Sequence, residues 1–143
     1  MRKHSTLGRR RLTKAQLLPL PADQVRRLSL KHHLALAALS AGRGDVDAIV
    51  TLSNVLELSI CLGAGDEVES YRHAEAALDQ CVARAGRGEP WTLTDVERAA
   101  LERLAIIHDA QLAVAPAHRY LGALEHVSRK NAANLDLSNL SEE

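Results

Sequence analysis

The side chains in this sequence that could hold a metal ion or move a proton are seven histidines, two cysteines and 18 acidic residues, so their spacing is the first question. Helical metal ligands converge only when they lie three or four residues apart, as in Glu-x-x-His pairs or His-Glu-x-x-His. Neither pattern occurs. Glu69 and His73 form an i,i+4 pair, and Asp109 follows His108, but adjacent residues diverge on a helix. Surface pairing, or a satisfied core histidine, is the expected role. His118 and His126 lie two turns apart and flank Gly122, where they could line a cleft. Cys61 and Cys81 have apolar surroundings and no neighbouring histidine to lower a thiol pKa, so they read as buried thiols. There is no Gly-x-Ser-x-Gly elbow, and the paired carboxylates Glu67 with Glu69 and Glu97 with Glu102 fall on ordinary exposed helix positions. The expectation is a protein without catalytic residues, metal or cofactor, and so not an enzyme.

Charge carries more information. Residues 1–27 contain eight Lys or Arg against one acid, and the remaining 116 contain ten against 17, so a net charge of zero conceals regions of +7 and −7. Arg2, Lys3, Arg9, Arg10, Arg11 and Lys14 sit in an acid-free stretch reaching Ala22. This is the density of a basic arm that follows a phosphate backbone or docks on an acidic protein, and these six residues are the expected contacts. Phe is absent, and Trp91, Tyr71 and Tyr120 are the aromatic residues, which argues against base stacking.

The elements that position these groups are helices. Leu and Ala, 24 and 23 of them, make up a third of the 143 residues, an alphabet of packed helices rather than strands. The fold class is all-α: a bundle of four to five helices over 21–130, with a basic N-terminal arm over 1–20 and a loose C-terminal tail over 131–143. Gly42, Gly63 and Gly86 are expected to mark left-handed helix ends. A first helix runs from about Pro21 to Ala41, with Val25, Leu28, His32, Ala35, Leu36 and Leu39 on its inner face. A second, capped by Asp45, runs to Leu62 and is apolar nearly all round. A third is capped by Asp66. Thr92 or Thr94 can cap a fourth, Thr94 making a capping box with Glu97, and on this helix Ala100, Leu104, Ile107, Gln111, Val114, His118 and Leu121 make a seam of alternating steps. Pro116 must kink or divide that run, and Ala117 to Lys130 forms a fifth segment.

A helix without a polar face belongs in the middle of a bundle or in an oligomer interface. A homodimer is expected, with Leu52, Val55 and Leu58 near the seam and Asn54 or Glu57 setting its register. The opposing reading is that the face carrying Asn54 and Glu57 is solvated or meets an Arg of the same chain. Ala41-Gly42-Arg43-Gly44-Asp45 and Ala85-Gly86-Arg87-Gly88-Glu89 are near copies, read as two similar helix exits rather than a duplication. No run of ~18 apolar residues is present, so no membrane span is expected, and the leucines and prolines of 17–21 are too short for a signal-peptide core. The cytoplasm is the expected compartment.

Leu93-Thr94-Asp95-Val96-Glu97-Arg98-Ala99-Ala100-Leu101-Glu102-Arg103-Leu104-Ala105 is similar to the opening helix of the response-regulator type of helix-turn-helix. The likeness covers about a dozen residues and stops where Ile106 to Pro116 offers no turn glycine and no basic recognition helix. Arg9-Arg10-Arg11-Leu12-Thr13-Lys14, followed by Leu17-Leu18-Pro19-Leu20-Pro21 and His33-Leu34-Ala35-Leu36-Ala37-Ala38-Leu39, resembles small helical proteins of bacterial mobile elements, some labelled Fis-like transcriptional regulators. That resemblance implies an accessory role in regulation and carries over no site residue. The expected function is nucleic-acid binding through the arm, with a protein–protein interaction module docking on an acidic partner as the alternative.

Overall fold

The computed structural model describes residues 11–141, with side chains placed for 11–136. Six helices follow in order: α1 Lys14–Leu17, α2 Ala22–Ser40, α3 Val46–Leu62, α4 Val68–Gly86, α5 Asp95–Val114 and α6 Ala117–Ser141. The described chain is an all-α bundle. Its centre is α3, which packs against α2, α4, α5 and α6, the position that a helix apolar on nearly every side requires. One end of α3 sends Leu52, Val55 and Leu56 into a core shared with Leu36 and Leu39 of α2, Tyr71 and Leu78 of α4, and Leu101 and Leu104 of α5. Its other end sends Leu58 and Leu62 into a second core with Leu20, Leu112, Ala115, Tyr120 and Val127.

Local chemistry fixes the helix starts. Asp45 accepts a hydrogen bond from Ala48 N at 2.8 Å and caps α3. Thr94 and Glu97 exchange side-chain and backbone bonds at 3.0 and 3.2 Å in the capping box that opens α5. The cap of α4 is Glu67 rather than Asp66, and its side chain bonds no backbone N–H. Thr13 and Gln16 form a further box that starts α1, a one-turn helix inside the segment read as arm. Pro116 divides its run. Helix α5 ends at Val114, and the otherwise orphaned N–H of Ala117 in the first turn of α6 donates to Leu18 O at 2.8 Å.

Further features differ from the sequence expectation. Positive φ is found at Gly42, Gly65 and Gly88, whereas Gly63 is extended and Gly86 is helical. In the first Gly-Arg-Gly copy the left-handed residue is the first glycine, and in the second it is the last, so the two exits are offset by two residues. The seam expected on α5 is displaced. Leu104 and Ile107 are buried as expected, but Val114 and Leu121 are exposed, while Leu101, His108 and Leu112 lie at its buried centre, roughly a quarter turn away at 3.6 residues per turn. The helix is enclosed by α2, α3 and α4, so its buried arc is wider than a two-helix seam. Finally, the stretch from Asn131 is a continuation of α6 rather than a loose tail: it contains no Gly or Pro to stop the helix, and Asn131 Nδ2 donates to Asn54 Oδ1 at 3.2 Å.

Candidate functional site

Of the expected arm contacts, Arg2, Lys3, Arg9 and Arg10 lie outside the described residues. Arg11 and Lys14 are exposed. Behind them the chain is tied down. Pro19 pairs in an antiparallel bridge with Pro116, and Leu20, 7% exposed, is buried with Leu112, Ala115 and Tyr120. The arm therefore ends before residue 20, and its root is fixed at the corner where α5 gives way to α6.

A second concentration of chemistry lies between α2 and α5. Ser29 Oγ donates to Asp109 Oδ1 at 2.9 Å, and His33 Nε2 lies 2.8 Å from Asp109 Oδ2. A cleft of about 610 Å³ opens beside them, lined also by Val25, Arg26 and Leu30. The order of the three groups decides what they can do. Asp109 stands between the hydroxyl and the imidazole and accepts the serine hydrogen bond itself, so the order differs from a nucleophile–imidazole–carboxylate relay, in which the imidazole accepts from the hydroxyl.

Behind this surface trio the seam is histidine-filled. His108 is fully buried, with Nδ1 3.0 Å from Ser59 Oγ and 3.1 Å from Gln111 Oε1. Gln111 Nε2 donates to Ser59 O at 3.0 Å and to Tyr71 Oη at 3.3 Å, and Tyr71 Oη donates to Ser59 O at 3.1 Å. A carbonyl only accepts, which fixes the orientation of the Gln111 amide and assigns the proton of neutral His108 to Nδ1. Among the described residues its Nε2 is buried without a partner, as is Nδ1 of His32. Burial pushes the His108 pKa down, and burial followed by the nearby His108 ring pushes His32 down to about 4. Both rings are held neutral. His108 and Asp109 do diverge as adjacent helical residues should, one into the core and one towards α2, yet the sequence gives no sign that Ser59, Tyr71 and Gln111 meet there, because they come from three helices.

The residues expected at a dimer seam are placed otherwise. Leu52, Val55 and Leu58 are 1%, 1% and 4% exposed within one chain, so they are core and offer no surface to a second copy. Asn54 bonds Asn131, and Glu57 Oε2 lies 2.9 Å from Lys130 Nζ, so α6 satisfies both polar residues. The correction follows from α3 being covered on its fourth side by α6. Cys81 is fully buried with Sγ donating to Thr92 O at 3.3 Å, and burial raises the pKa of both Cys81 and the half-buried Cys61, which keeps them as thiols. His118 is half-buried and His126 exposed. Glu69 pairs with Arg72 at 3.0 Å rather than with His73. His73 lines a shallow cleft of about 600 Å³ between α4 and α5, floored by Ala76, Ala77 and Ala100. Among the described residues no group of three His, Cys, Asp or Glu is placed to hold a metal ion, and no helix is long and apolar enough to cross a membrane. Comparison with known proteins gives no match to a protein family, to a curated protein or to a solved structure.

Proposed function

We propose that this chain is a non-enzymatic helical protein that contacts the phosphate backbone of nucleic acid through its basic N-terminal arm, as an accessory binding or regulatory protein. The observation that carries this reading is the segregation of charge, +7 over residues 1–27 against −7 over the rest. An acidic body repels a nucleic acid over most of its surface, and so favours approach at the arm. A root docked on the bundle, with Arg11 and Lys14 left exposed, gives that arm a defined point of departure. Contact of this kind is largely independent of sequence, and log affinity falls with log salt by about 0.9 per phosphate neutralised.

A fluorescence anisotropy titration of a short mixed-sequence duplex at low salt tests it. The full chain binds, and Arg9→Ser, Arg10→Ser and Arg11→Ser together weaken binding and flatten its salt dependence. Absence of binding, or binding indifferent to the three substitutions, overturns the reading. A second reading, an interaction module docking on an acidic protein, draws on Leu30 and Leu34, which are 60% and 59% exposed one turn apart on α2. Preference for polyglutamate over the duplex at matched salt favours it.

A further inference from the structure

The ion pairs divide the basic side chains into two populations. Fourteen Lys and Arg residues lie within 11–136, and eight of them have a carboxylate within 4.0 Å. Among the described residues the six without one are Arg11, Lys14, Arg27, Lys31, Arg43 and Arg119. Five of these six belong to the arm root, the first half of α2 and the first turn of α6. Those three pieces of chain meet in space: Leu18 O accepts from Ala117 N, Pro19 pairs with Pro116, and Leu20, Val25, Leu28 and Tyr120 share the second core. Of the acids beside this region, Asp23 is taken up by Arg26, and Asp109 by Ser29 and His33.

We infer that Arg27, Lys31 and Arg119 on the folded body form, together with the arm root at Arg11 and Lys14, one face that binds the phosphate backbone of duplex nucleic acid. The inference rests on the nucleic-acid reading above and extends it from the arm to the bundle. Arg27 and Lys31 stand one turn apart on the outward side of α2, about 6 Å along the axis at 1.5 Å per residue. Arg119 joins them from a part of the sequence whose net charge is negative, which is why charge counting along the chain does not find it. A base already paired must break that pair before it can hold a phosphate, and an unpaired exposed base need not. A duplex presents a repeating line of charges, so several separated bases can each take one phosphate without any shaped pocket between them. Of the eight paired bases, Arg26 lies on α2, Arg87 lies just past α4, and the other six lie on α4, α5 and the later turns of α6, where their carboxylates neutralise them.

The test uses the full chain and the same duplex, with affinity measured across roughly 50 to 200 mM salt. Arg27→Gln, Lys31→Gln and Arg119→Gln are compared with Arg129→Gln, which removes a base already paired with Glu125. Thermal melts check that each variant folds. Each of the three is expected to weaken binding severalfold and to reduce the salt slope by about 0.9, whereas Arg129→Gln leaves the slope unchanged. If the unaltered chain binds no duplex, the nucleic-acid reading itself falls. If it binds, and the arginine substitutions in the arm weaken binding while the three body variants keep the full slope, the arm acts alone and this inference is overturned.

Discussion

The imidazole rings of His32 and His108 lie 5.2 Å apart, centre to centre, at the seam of α2 and α5, and each keeps one buried nitrogen without a partner among the described residues. Charging either ring there is unfavourable. Lys31 and the His33 ring add to the cost for His32 and Asp109 opposes it, while burial dominates. The folded state holds the His32 pKa at about 4, against 6.5 for a free imidazole, so between those values the unfolded chain binds more protons. Stability is therefore complete above about pH 6.5, falls as the pH drops through that window and levels off below about 4. The loss amounts to at most about 3 kcal/mol from His32. Urea melts at stepped pH check this. His32→Leu, which leaves no hydrogen bond broken at Nδ1, should flatten the dependence; an unchanged slope would show that the ring is not the titrating group.

Val55 separates the two meanings of an all-apolar helix. As a residue of an interface it would tolerate a charge at the cost of dissociation alone. At 1% exposure inside one chain, Val55→Glu instead buries an unpaired carboxylate, a change of several kcal/mol. The expected outcome is loss of cooperative melting by circular dichroism at every protein concentration. A variant that melts normally and differs only in mass by light scattering would return α3 to an interface.

Much of this architecture is legible in the sequence because it rests on local rules. Asp45, Thr94 with Glu97, and Pro116 act within four residues of their own positions, and the apolar face of α2 through His32, Leu36 and Leu39 follows from helical period alone. What local rules cannot supply is the partner of a helix. The burial of α3 is legible, but whether α6 or a second copy covers Asn54 and Glu57 depends on where the chain returns after Pro116. The histidine seam is hidden for the same reason, since Ser59, Tyr71, Gln111 and His108 become neighbours only when three helices pack. Arg119 is the sharpest case: its surroundings in sequence give no reason to group it with Arg27.

Gly44 is the tightest point of the first helix exit. Its N–H donates to Trp91 O at 3.3 Å, and a Cβ there would lie 3.1 Å from that same oxygen and collide with the Leu39 side chain. Gly44→Ala must displace either the loop that precedes α5 or a fully buried leucine. A loss of about 1–3 kcal/mol is expected, the usual scale of overpacking, together with a change in Trp91 fluorescence. Gly86→Ala, where the added methyl meets nothing within 4 Å, serves as the comparison and should be neutral or slightly stabilising, because Ala is the better helix former.

Arg84 and Glu97 join the end of α4 to the start of α5 through two parallel bonds of 2.8 and 2.5 Å, with Arg84 also donating to Thr92 O at 3.1 Å. Their side chains are 18% and 10% exposed. Glu97 also accepts from Thr94 N, so one carboxylate closes both the helix cap and the ion pair. The Arg84 guanidinium holds the Glu97 carboxyl below its usual range against the opposing effect of burial. The stability it contributes is therefore present above the ordinary carboxylate pKa and is lost as the pH falls through the lowered one, later in an acid titration than the histidine seam. At neutral pH Glu97→Gln leaves a guanidinium without its counter-charge, and an expected cost of about 2–3 kcal/mol allows for residual solvent at the pair. Replacing both, as Arg84→Met with Glu97→Gln, removes the orphaned charge and should recover part of that loss. Urea melts of the two single variants and the double variant give the coupling energy directly; a value near zero would mean that the pair is bystander to the packing of α4 on α5, and the bidentate geometry would then have no energetic consequence.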